Sequence, residues 1–256
     1  MRIIFIGDVV STAGSEFLMK KLPPLRREKQ ADFVIVNGEN SAPQNGIDKS
    51  SAELIYAAGA DVITTGNHVM RRPDAAALLE NPNFSVLRPL NLPRSTPGRG
   101  VLTVTKGSQR LAVINIMGRA FMDGSDNPFD SIDKALAETD EKCILVDFHA
   151  EATGEKRAMG LYLDGRVSAV CGTHTHIPTA DACVLPGGTA YITDTGMTGV
   201  IDSVLGVKKE LVIAKLKDGA PSRFAPAEGR CRMDAVIIDI DNNTGRSVGI
   251  EQLTVF

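Results

Sequence analysis

The sequence predicts an α/β fold in one domain that spans residues 1–256, with parallel strands first and antiparallel strands later. Three observations carry this prediction. β-rich runs alternate with helical patterns in the first third of the chain, hairpin-like strand pairs follow, and 43% of the residues are hydrophobic, enough to bury a substantial core at this length. Because strand–helix–strand units imply parallel pairing and hairpins imply antiparallel pairing, the sheets should be mixed.

The first third of the chain contains three strand–helix units. Each begins with a short apolar run typical of a buried strand and continues into a helical pattern. The predicted strands at 3–6, 33–36 and 62–64 are followed by predicted helices at 14–28, 49–58 and 73–79, respectively. Residues 92–100, rich in proline and glycine, then predict an irregular connection.

The remainder of the chain favours hairpins and further strand–helix units. Strands are predicted at 100–105, 110–117, 143–148, 167–171, 183–185, 189–192, 233–240 and 247–253. Helices are predicted at 131–137, 151–162 and 208–216. Turns at 106–109 and 241–245 would close two hairpins. Residues 118–130 form a loop long enough to be functional, and the segment between 192 and 208 is also predicted as a loop.

Composition and charge argue against several classes of function. A net charge of -3 disfavours a polyanion-binding surface, and 5% aromatic residues without tryptophan supply few groups for base stacking, so no stable nucleic-acid complex is expected. The apolar runs fall short of the roughly 18 residues that span a bilayer, and no signal-peptide pattern follows Met1. The sequence therefore predicts a cytoplasmic protein without a membrane span.

The cysteines are predicted to be reduced structural thiols rather than metal thiolates. Cys143, Cys171, Cys183 and Cys231 show no C-x-x-C spacing, and three of them lie in or beside strand-like runs.

Every histidine lies in one of three short segments that look like the ligand boxes of a metal site. These segments are Gly66-Asn67-His68, Phe148-His149-Ala150 and Gly172-Thr173-His174-Thr175-His176. Two carboxylate segments precede them, Gly7-Asp8-Val9-Val10 and Asn37-Gly38-Glu39-Asn40, each directly after an apolar run. Because active sites are usually assembled from loops at strand ends, these side chains are candidates for one site.

The residue types favour transition metals. Carboxylates, amides and imidazoles offer oxygen and nitrogen donors without thiolate, a mixture suited to Mn, Fe or Zn rather than to Ca or Mg alone. A carboxylate that bridges two cations would hold them about 3.5 to 4 Å apart, where a shared hydroxide can attack phosphorus. His174 and His176 leave the same face of an extended segment, so each could bind one metal. A single histidine in such a loop is more often structural, but four in this order favour a metal site.

The order of these segments resembles the calcineurin-like metallophosphoesterase superfamily, and in particular its YmdB-like branch. The superfamily pattern runs Asp-x-His, Gly-Asp, Gly-Asn-His-Asp/Glu, His and Gly-His-x-His. Here Val10 replaces the first histidine, Glu39 replaces an aspartate, Val69 follows His68 instead of an acid, and Thr173 precedes His174. The YmdB-like pattern shares these departures and the stretches at 6–10, 37–40 and 190–194, so the resemblance covers nearly the whole chain.

The resemblance implies a four-layer α-β-β-α sandwich of two mixed sheets with the site at the strand ends. It implies two divalent or trivalent transition-metal ions per chain, with Fe or Mn favoured and Zn as an alternative. One ion would be held by Asp8, Asn40 and His176, the other by Asn67, His149 and His174, and Glu39 would bridge both. His68 would be the catalytic group above the metals, stabilising phosphoryl charge or protonating the leaving oxygen. Asn40 could instead be a turn residue that caps its loop.

The implied activity is metal-dependent hydrolysis of small phosphodiesters, with 2′,3′- or 3′,5′-cyclic nucleotides as the substrate class. Two alternatives stay open: a phosphomonoesterase that uses the same site, and a regulatory binding protein whose metals only order a surface. The spare His68 favours turnover, since a structural metal site needs no nearby acid. A homo-oligomer is compatible with the sequence.

Three further features are weaker candidates. The small residues at 194–199 could present backbone N–H groups to a phosphate, or form a tight turn that needs a left-handed glycine at Gly196 or Gly199. Arg119 could pair with a substrate phosphate or simply be solvated. Asp147, two residues before His149, could orient a metal ligand as a hydrogen-bond acceptor.

Overall fold

A computed structural model of the protein describes residues 1–219, 221 and 223–256. Its helices in that part of the chain are α1 (Ser11–Lys29), α2 (Lys49–Ala57), α3 (Ala75–Glu80), α4 (Pro128–Ala137), α5 (Thr153–Tyr162) and α6 (Lys209–Asp218). Its strands are β1 (Arg2–Ile6), β2 (Asp8–Val9), β3 (Phe33–Asn37), β4 (Val62–Thr64), β5 (Val101–Lys106), β6 (Gln109–Met117), β7 (Ile144–His149), β8 (Ala169–Thr173), β9 (Cys183–Val184), β10 (Ala190–Ile192), β11 (Met197–Val200), β12 (Cys231–Ile240) and β13 (Ser247–Val255).

The strands form two mixed sheets, as predicted. The first sheet has the order β2-β11-β12-β1-β3-β4, with β13 paired to β12, and the second has the order β5-β6-β7-β8-β10-β9. In the first sheet β1, β3 and β4 run parallel. In the second sheet β6, β7, β8 and β10 run parallel. Each sheet therefore gathers the carboxyl ends of several strands at one edge.

Alternating side chains along the strands separate the interior into layers. In β1, Ile4 and Ile6 pack in one buried cluster with Leu18 and Leu22 of α1. The intervening Ile3 and Phe5 pack in a second cluster that joins the two sheets, where they meet residues such as Leu111 and Leu145. A third cluster packs the other face of the second sheet against α4 and α5, with Ile132 and Met159 among its members. The predicted four-layer α-β-β-α sandwich is confirmed.

Two sequence predictions of local structure are wrong. The 118–130 segment is not a loop throughout, because α4 begins at Pro128, where Asn127 Oδ1 accepts a hydrogen bond of 2.9 Å from the Phe129 N–H and proline suits the first helical turn. The segment between 192 and 208 contains β11, which pairs with both β2 and β12. Such a short strand is specified by its neighbours in the sheet rather than by its own pattern.

No helix within the described residues is long and apolar enough to cross a membrane.

Candidate metal centre

The predicted ligands converge where the carboxyl ends of the parallel strands meet. Asp8, Glu39 and Asn40, and Asn67 and His68 follow or flank the ends of β1, β3 and β4 in the first sheet. His149 is the last residue of β7, and His174 and His176 follow β8 in the second sheet. The site is therefore assembled across the seam between the two sheets, at the edge where open α/β sheets bind ligands.

A first donor group consists of Asn67, His149 and His174. His149 Nε2 lies 3.1 Å from Asn67 Oδ1 and 3.0 Å from His174 Nδ1. Ligand atoms of Glu39, His149 and His174 all lie within 4.8 Å of one another. Two ligands about 2.1 Å from one cation and at right angles to each other are about 3 Å apart. The spacing in the first donor group is therefore that of neighbouring ligands on a single transition-metal ion.

A second donor group consists of Asp8, Asn40 and His176. His176 Nε2 lies 3.6 Å from Asp8 Oδ1 and 3.3 Å from Asn40 Nδ2. Asp8 Oδ2 accepts a hydrogen bond of 3.1 Å from the His174 N–H, but Asp8 Oδ1 is buried and has no hydrogen-bond partner among the described residues. A buried carboxylate oxygen without a partner is costly, and a cation would satisfy it. This orphaned oxygen shows that the residues present fit a metal.

Glu39 lies between the two donor groups. Its Oε1 is 3.2 Å from His149 Nε2 in the first group and accepts a hydrogen bond of 3.0 Å from Asn40 Nδ2 in the second. The side chain is fully buried. Gly66 makes this approach possible, because a Cβ there would lie 2.2 Å from His149 Nε2 and 2.3 Å from Glu39 Oε2. Glu39 therefore contacts side chains of both donor groups, whereas Asp8 meets the first group only through the backbone N–H of His174.

A buried polar network orients His149. Its Nδ1 lies 2.9 Å from Thr173 Oγ1, and that hydroxyl donates a hydrogen bond of 2.6 Å to Asp147 Oδ1. Asp147 Oδ2 accepts from Asn37 Nδ2 of the other sheet at 2.9 Å. Because Thr173 donates to Asp147, it accepts from His149 Nδ1–H, which leaves Nε2 free to face the donor group. Asp147 thus orients His149 through Thr173 rather than by direct contact.

His176 is oriented by a main-chain group instead. Its Nδ1 donates to the Leu205 carbonyl oxygen at 3.1 Å, so its Nε2 faces Asp8 and Asn40. Both His174 and His176 have left-handed backbone conformations, with φ of 99° and 62°. Such φ values are strained for residues other than glycine, and they recur where side chains are held for function.

The electrostatics of the site also suit cations. Burial alone would lower the pKa of His149, but the charge of Glu39 and its hydrogen bond, together with Asp8, raise it to about 9. Burial likewise opposes protonation of His176, yet Asp8 raises its pKa above the ordinary value. For His174 burial prevails and, with the charge on His149, lowers the pKa to about 4. The raised pKa values of His149 and His176 reflect a negative electrostatic potential at the site, which a metal ion would neutralise in place of protons.

His68 occupies a position beside both donor groups. Its Nδ1 donates to Asn40 Oδ1 at 2.8 Å, and its backbone N–H donates to Glu39 Oε2 at 3.2 Å. About a fifth of its side chain is exposed, whereas His149 is fully buried. Burial, assisted by the charge of Arg71, lowers the pKa of His68. The imidazole is thus anchored at Nδ1 and lines the open side of the site.

The site opens into a cavity of about 630 Å³. This volume lies within the range of about 300 to 1,000 Å³ that is usual for small-molecule sites. His68, His174 and His176 line the cavity, and Arg71 is the one arginine or lysine among its described lining residues. The weaker candidate Arg119 does not line the cavity. It is exposed to solvent, and its backbone N–H donates to Glu155.

The suggestion that the 194–199 backbone binds phosphate is wrong. The N–H of Thr195 donates to the Gly172 carbonyl at 2.9 Å, that of Gly196 to Asp194 Oδ1 at 2.9 Å, and that of Met197 to Asp234 Oδ2 at 3.2 Å. These donors are therefore already used within the fold. The alternative prediction, a turn with a left-handed glycine, is confirmed at Gly196, whose φ is 99°.

A buried ion pair beneath the site was missed by the sequence reasoning. Lys156 Nζ lies 2.6 Å from Asp194 Oδ2, and both side chains are essentially inaccessible to solvent. The same Asp194 oxygen accepts from the Thr175 N–H at 3.0 Å and from its hydroxyl at 2.7 Å. The pair therefore fixes the residue between His174 and His176. A lysine on the helical pattern of α5 resembles a solvated surface charge, so only the position of Asp194 hinted at this contact.

The four-layer α-β-β-α sandwich also occurs in a solved structure of low sequence identity. A putative 5′-nucleotidase from Staphylococcus aureus shares this fold, with a TM-score of 0.60 and 17% identity, over 99% of this chain and 54% of that chain.

Closer relatives define the family. The family model described as YmdB-like protein matches residues 4–253, and the chain belongs to that family. The 2′,3′-cyclic-nucleotide 2′-phosphodiesterase of Bacillus subtilis (strain 168) is 44% identical over all of this chain and 97% of its own length.

Two solved structures each match the whole of this chain with a TM-score of 0.94. A hypothetical protein from Thermus thermophilus is 43% identical, with 100% of this chain and 99% of that chain covered. A novel phosphatase from Mycoplasma pneumoniae is 33% identical, with 100% of this chain and 93% of that chain covered. The family model confirms the predicted family, and the relative in Bacillus subtilis, named as a phosphodiesterase, bears out the prediction of a phosphoric diester hydrolase.

Proposed function

We propose that this chain hydrolyses small cyclic nucleotides as a dinuclear metal-dependent phosphodiesterase. The observation that carries the proposal is the contact of the buried Glu39 carboxylate with two separate donor groups beside an open cavity. One cation would need only one such group. A shared carboxylate between two groups is the arrangement that holds a pair of ions in phosphoesterases.

In this proposal Asn67, His149 and His174 hold one ion, and Asp8, Asn40 and His176 hold the other. The donor set of imidazole nitrogens with carboxylate and amide oxygens favours Fe or Mn, with Zn as an alternative. When bound, two such ions supply Lewis-acid polarisation of the phosphate and acidification of water. Asn40 directs its amide nitrogen at Glu39 and His176 and its Oδ1 at His68. Its role as a ligand would therefore require Oδ1 to face the ion with one lone pair while the other still accepts from His68 Nδ1.

His68 is proposed to protonate the leaving oxygen. The water oxygen forms the new bond to phosphorus and releases a proton to solvent, the P–O bond to the ribose breaks, and the released ribose oxygen takes a proton from His68, which solvent then reprotonates. With Nδ1 anchored on Asn40, the Nε2 proton of the imidazolium is the one available for that transfer. The negative charge of a bound phosphate favours the imidazolium form and opposes the effect of burial on the pKa of His68.

The substrate class follows from the relative in Bacillus subtilis. Its name describes opening of a 2′,3′-cyclic nucleotide at the 2′ ester, and its sequence is aligned along all of this chain. We extend that activity to this chain, so the product of a 2′,3′-cyclic substrate would carry a 3′-phosphate. A 3′,5′-cyclic nucleotide is the other member of the proposed substrate class.

The test combines metal analysis with a cyclic-nucleotide panel. Protein supplied with Mn²⁺ or Fe²⁺ is expected to bind two ions per chain and to convert 2′,3′-cyclic AMP mainly to 3′-AMP, identified by chromatography. A chelator should stop the reaction and Mn²⁺ should restore it. Hydrolysis that continues at full rate in excess chelator, or absence of any diester hydrolysis by the metal-loaded protein, would refute the proposal.

A phosphomonoesterase is the second candidate function. The phosphatase from Mycoplasma pneumoniae shares the fold along the whole chain, and Arg71 offers a cation that could meet the second negative charge of a monoester. The proposal also includes a cytoplasmic location and the formation of a homo-oligomer.

A further inference from the structure

One part of the cavity wall is apolar although it is exposed to solvent. Ile177, Leu205 and Phe224 line the cavity with 55%, 40% and 44% of their surface exposed. Val207 and Pro226 extend the same lining. Exposed apolar side chains that gather in a concave site usually mark a surface that a ligand covers. We call these five residues the apolar wall.

The apolar wall is physically joined to the second donor group. Leu205 supplies the wall with its side chain, while its carbonyl oxygen accepts the hydrogen bond from His176 Nδ1 at 3.1 Å. Ile177 is the residue directly after His176. A substrate with its phosphate at the donor groups would therefore lie with its next substituent beside this wall.

Several backbone groups in and beside the wall already form hydrogen bonds within the fold. Val204 and Val207 pair with each other through two hydrogen bonds of 2.9 and 3.0 Å. The Ala225 carbonyl accepts from the Lys208 N–H at 3.0 Å, and the Gly206 carbonyl accepts from the Ala227 N–H at 2.8 Å. These groups are occupied, and the side chains of the wall present hydrocarbon and aromatic surface to the cavity.

Phe224 supplies the flat element of the wall. Lys215 Nζ lies over its ring at 4.7 Å from the centroid, so one ring face is covered by a cation. Phe224 lines the cavity with 44% of its surface exposed, so part of its ring is accessible to a planar group. Stacking on an aromatic side chain suits every nucleobase, because each base has a π-face whatever its edge carries.

We propose that the apolar wall is a base subsite that binds the nucleobase of a cyclic nucleotide by stacking and apolar contact without reading its edge. The inference rests on the proposed phosphodiesterase function and adds a specificity to it. Hydrogen-bonded pockets reject analogues strongly, whereas apolar pockets discriminate weakly. Adenine, guanine, cytosine and uracil should therefore be accepted almost equally, and a diester without a base should be a poorer substrate.

The test compares five cyclic diesters with the metal-loaded protein. The four 2′,3′-cyclic nucleotides should have kcat/KM values within about fivefold of one another, as expected for an apolar pocket. Glycerol 1,2-cyclic phosphate, which has the five-membered diester ring and no base, should have a kcat/KM at least about tenfold lower through its KM, the loss expected without a stacking partner.

The variant Phe224→Ala sharpens the test. The ratio of kcat/KM for the nucleotides to that for the glycerol diester should fall about tenfold, and Phe224→Tyr, which keeps the ring, should preserve the ratio. Phe256→Ala is the matched control, since Phe256 is 66% exposed and does not line the cavity. Inhibition of glycerol diester hydrolysis by free adenosine and uridine gives a second readout of base binding, and both should compete.

The outcomes separate the two proposals. If the glycerol diester is as good a substrate as the nucleotides and Phe224→Ala leaves the ratio unchanged, the base subsite is wrong and the phosphodiesterase stands. If one base is preferred more than about fiftyfold, beyond the weak discrimination of an apolar pocket, the wall reads base edges and the inference is also wrong. If the protein hydrolyses no diester, the proposed function fails and the subsite fails with it.

Discussion

His149 and His176 belong to neighbouring donor groups but are held by different kinds of partner. His149 is supported from within the sandwich, through Thr173 and Asp147, by side chains that connect the two sheets. His176 is supported by the carbonyl of Leu205, in a segment that also forms the cavity wall. The first donor group is therefore fixed by the core of the fold, and the second depends on a surface segment.

The donor atoms show the same contrast. In the first donor group the spacings of about 3 Å already suit a single ion. In the second, Asp8 Oδ1 has no partner in the described chain, and the amide of Asn40 points its nitrogen toward the other donors. We expect the first donor group to bind its ion more tightly than the second, because less rearrangement is required.

The largest effect should come from Glu39, whose carboxylate contacts side chains of both donor groups. Glu39→Ala should lose both ions and reduce hydrolysis to background, while Asp8→Ala should weaken one ion more than the other. Metal content of the purified proteins is the measurement, and each variant is the control for the other. A full load of two ions in Glu39→Ala would mean that this residue does not bridge.

The next effect separates binding from chemistry at His68. His68→Ala should retain both ions but lower kcat by about 10² to 10⁴, the usual scale for a general acid. The loss should be larger for a cyclic nucleotide, whose leaving alkoxide needs a proton, than for a 4-nitrophenyl diester, whose leaving phenolate does not. Loss of an ion in this variant would make His68 a ligand, and an equal loss on both substrates would argue against proton donation.

Much of this arrangement could be predicted from local sequence. Asp8, Glu39 and His149 each follow or end an apolar run, so the strand ends and the convergence of their side chains could be inferred. The supporting contacts could not. Lys156 meets Asp194 only because α5 packs beside the segment after β10, and Leu205 reaches His176 only through the course of a loop. Neither partner carries a local pattern that identifies the other.

Two neighbouring parts of the first sheet show the same limit of prediction from local sequence. The hairpin of β12 and β13 has alternating strands around a turn of Asp, Asn and Gly, and its prediction is confirmed. β11 has four residues, including a glycine, and its own pattern predicts a loop. It becomes a strand because β2 and β12 lie on either side of it and satisfy its backbone groups.

A smaller effect should appear when the support of the first donor group is removed without touching a ligand. Thr173→Val keeps the shape of the side chain but deletes the hydroxyl between His149 and Asp147, so affinity for the first ion should fall about 10- to 100-fold. Competition with a chelator measures this. Thr254→Val is the matched control. It removes a threonine hydroxyl that donates to Asp234 Oδ1 at 2.8 Å, outside the donor groups, and it should leave metal affinity unchanged. Equal affinities in the two variants would contradict the idea that the core fixes this group.

The smallest effect concerns the charge that the cavity accepts. A phosphodiester carries one negative charge and a monoester up to two, and the donor groups are joined in the cavity by one arginine, Arg71, among the described lining residues. Two metal ions with one further cation suffice for a diester, so bis(4-nitrophenyl) phosphate should have a higher kcat/KM than 4-nitrophenyl phosphate, which has the same leaving group. The comparison is made at fixed Mn²⁺. A monoester preference of tenfold, about 1.4 kcal/mol of transition-state stabilisation, would replace the diesterase with a phosphomonoesterase on the same donor groups. In that case Arg71→Gln would test whether Arg71 causes the monoester preference, because removal of its charge should reduce hydrolysis of the monoester more than that of the diester.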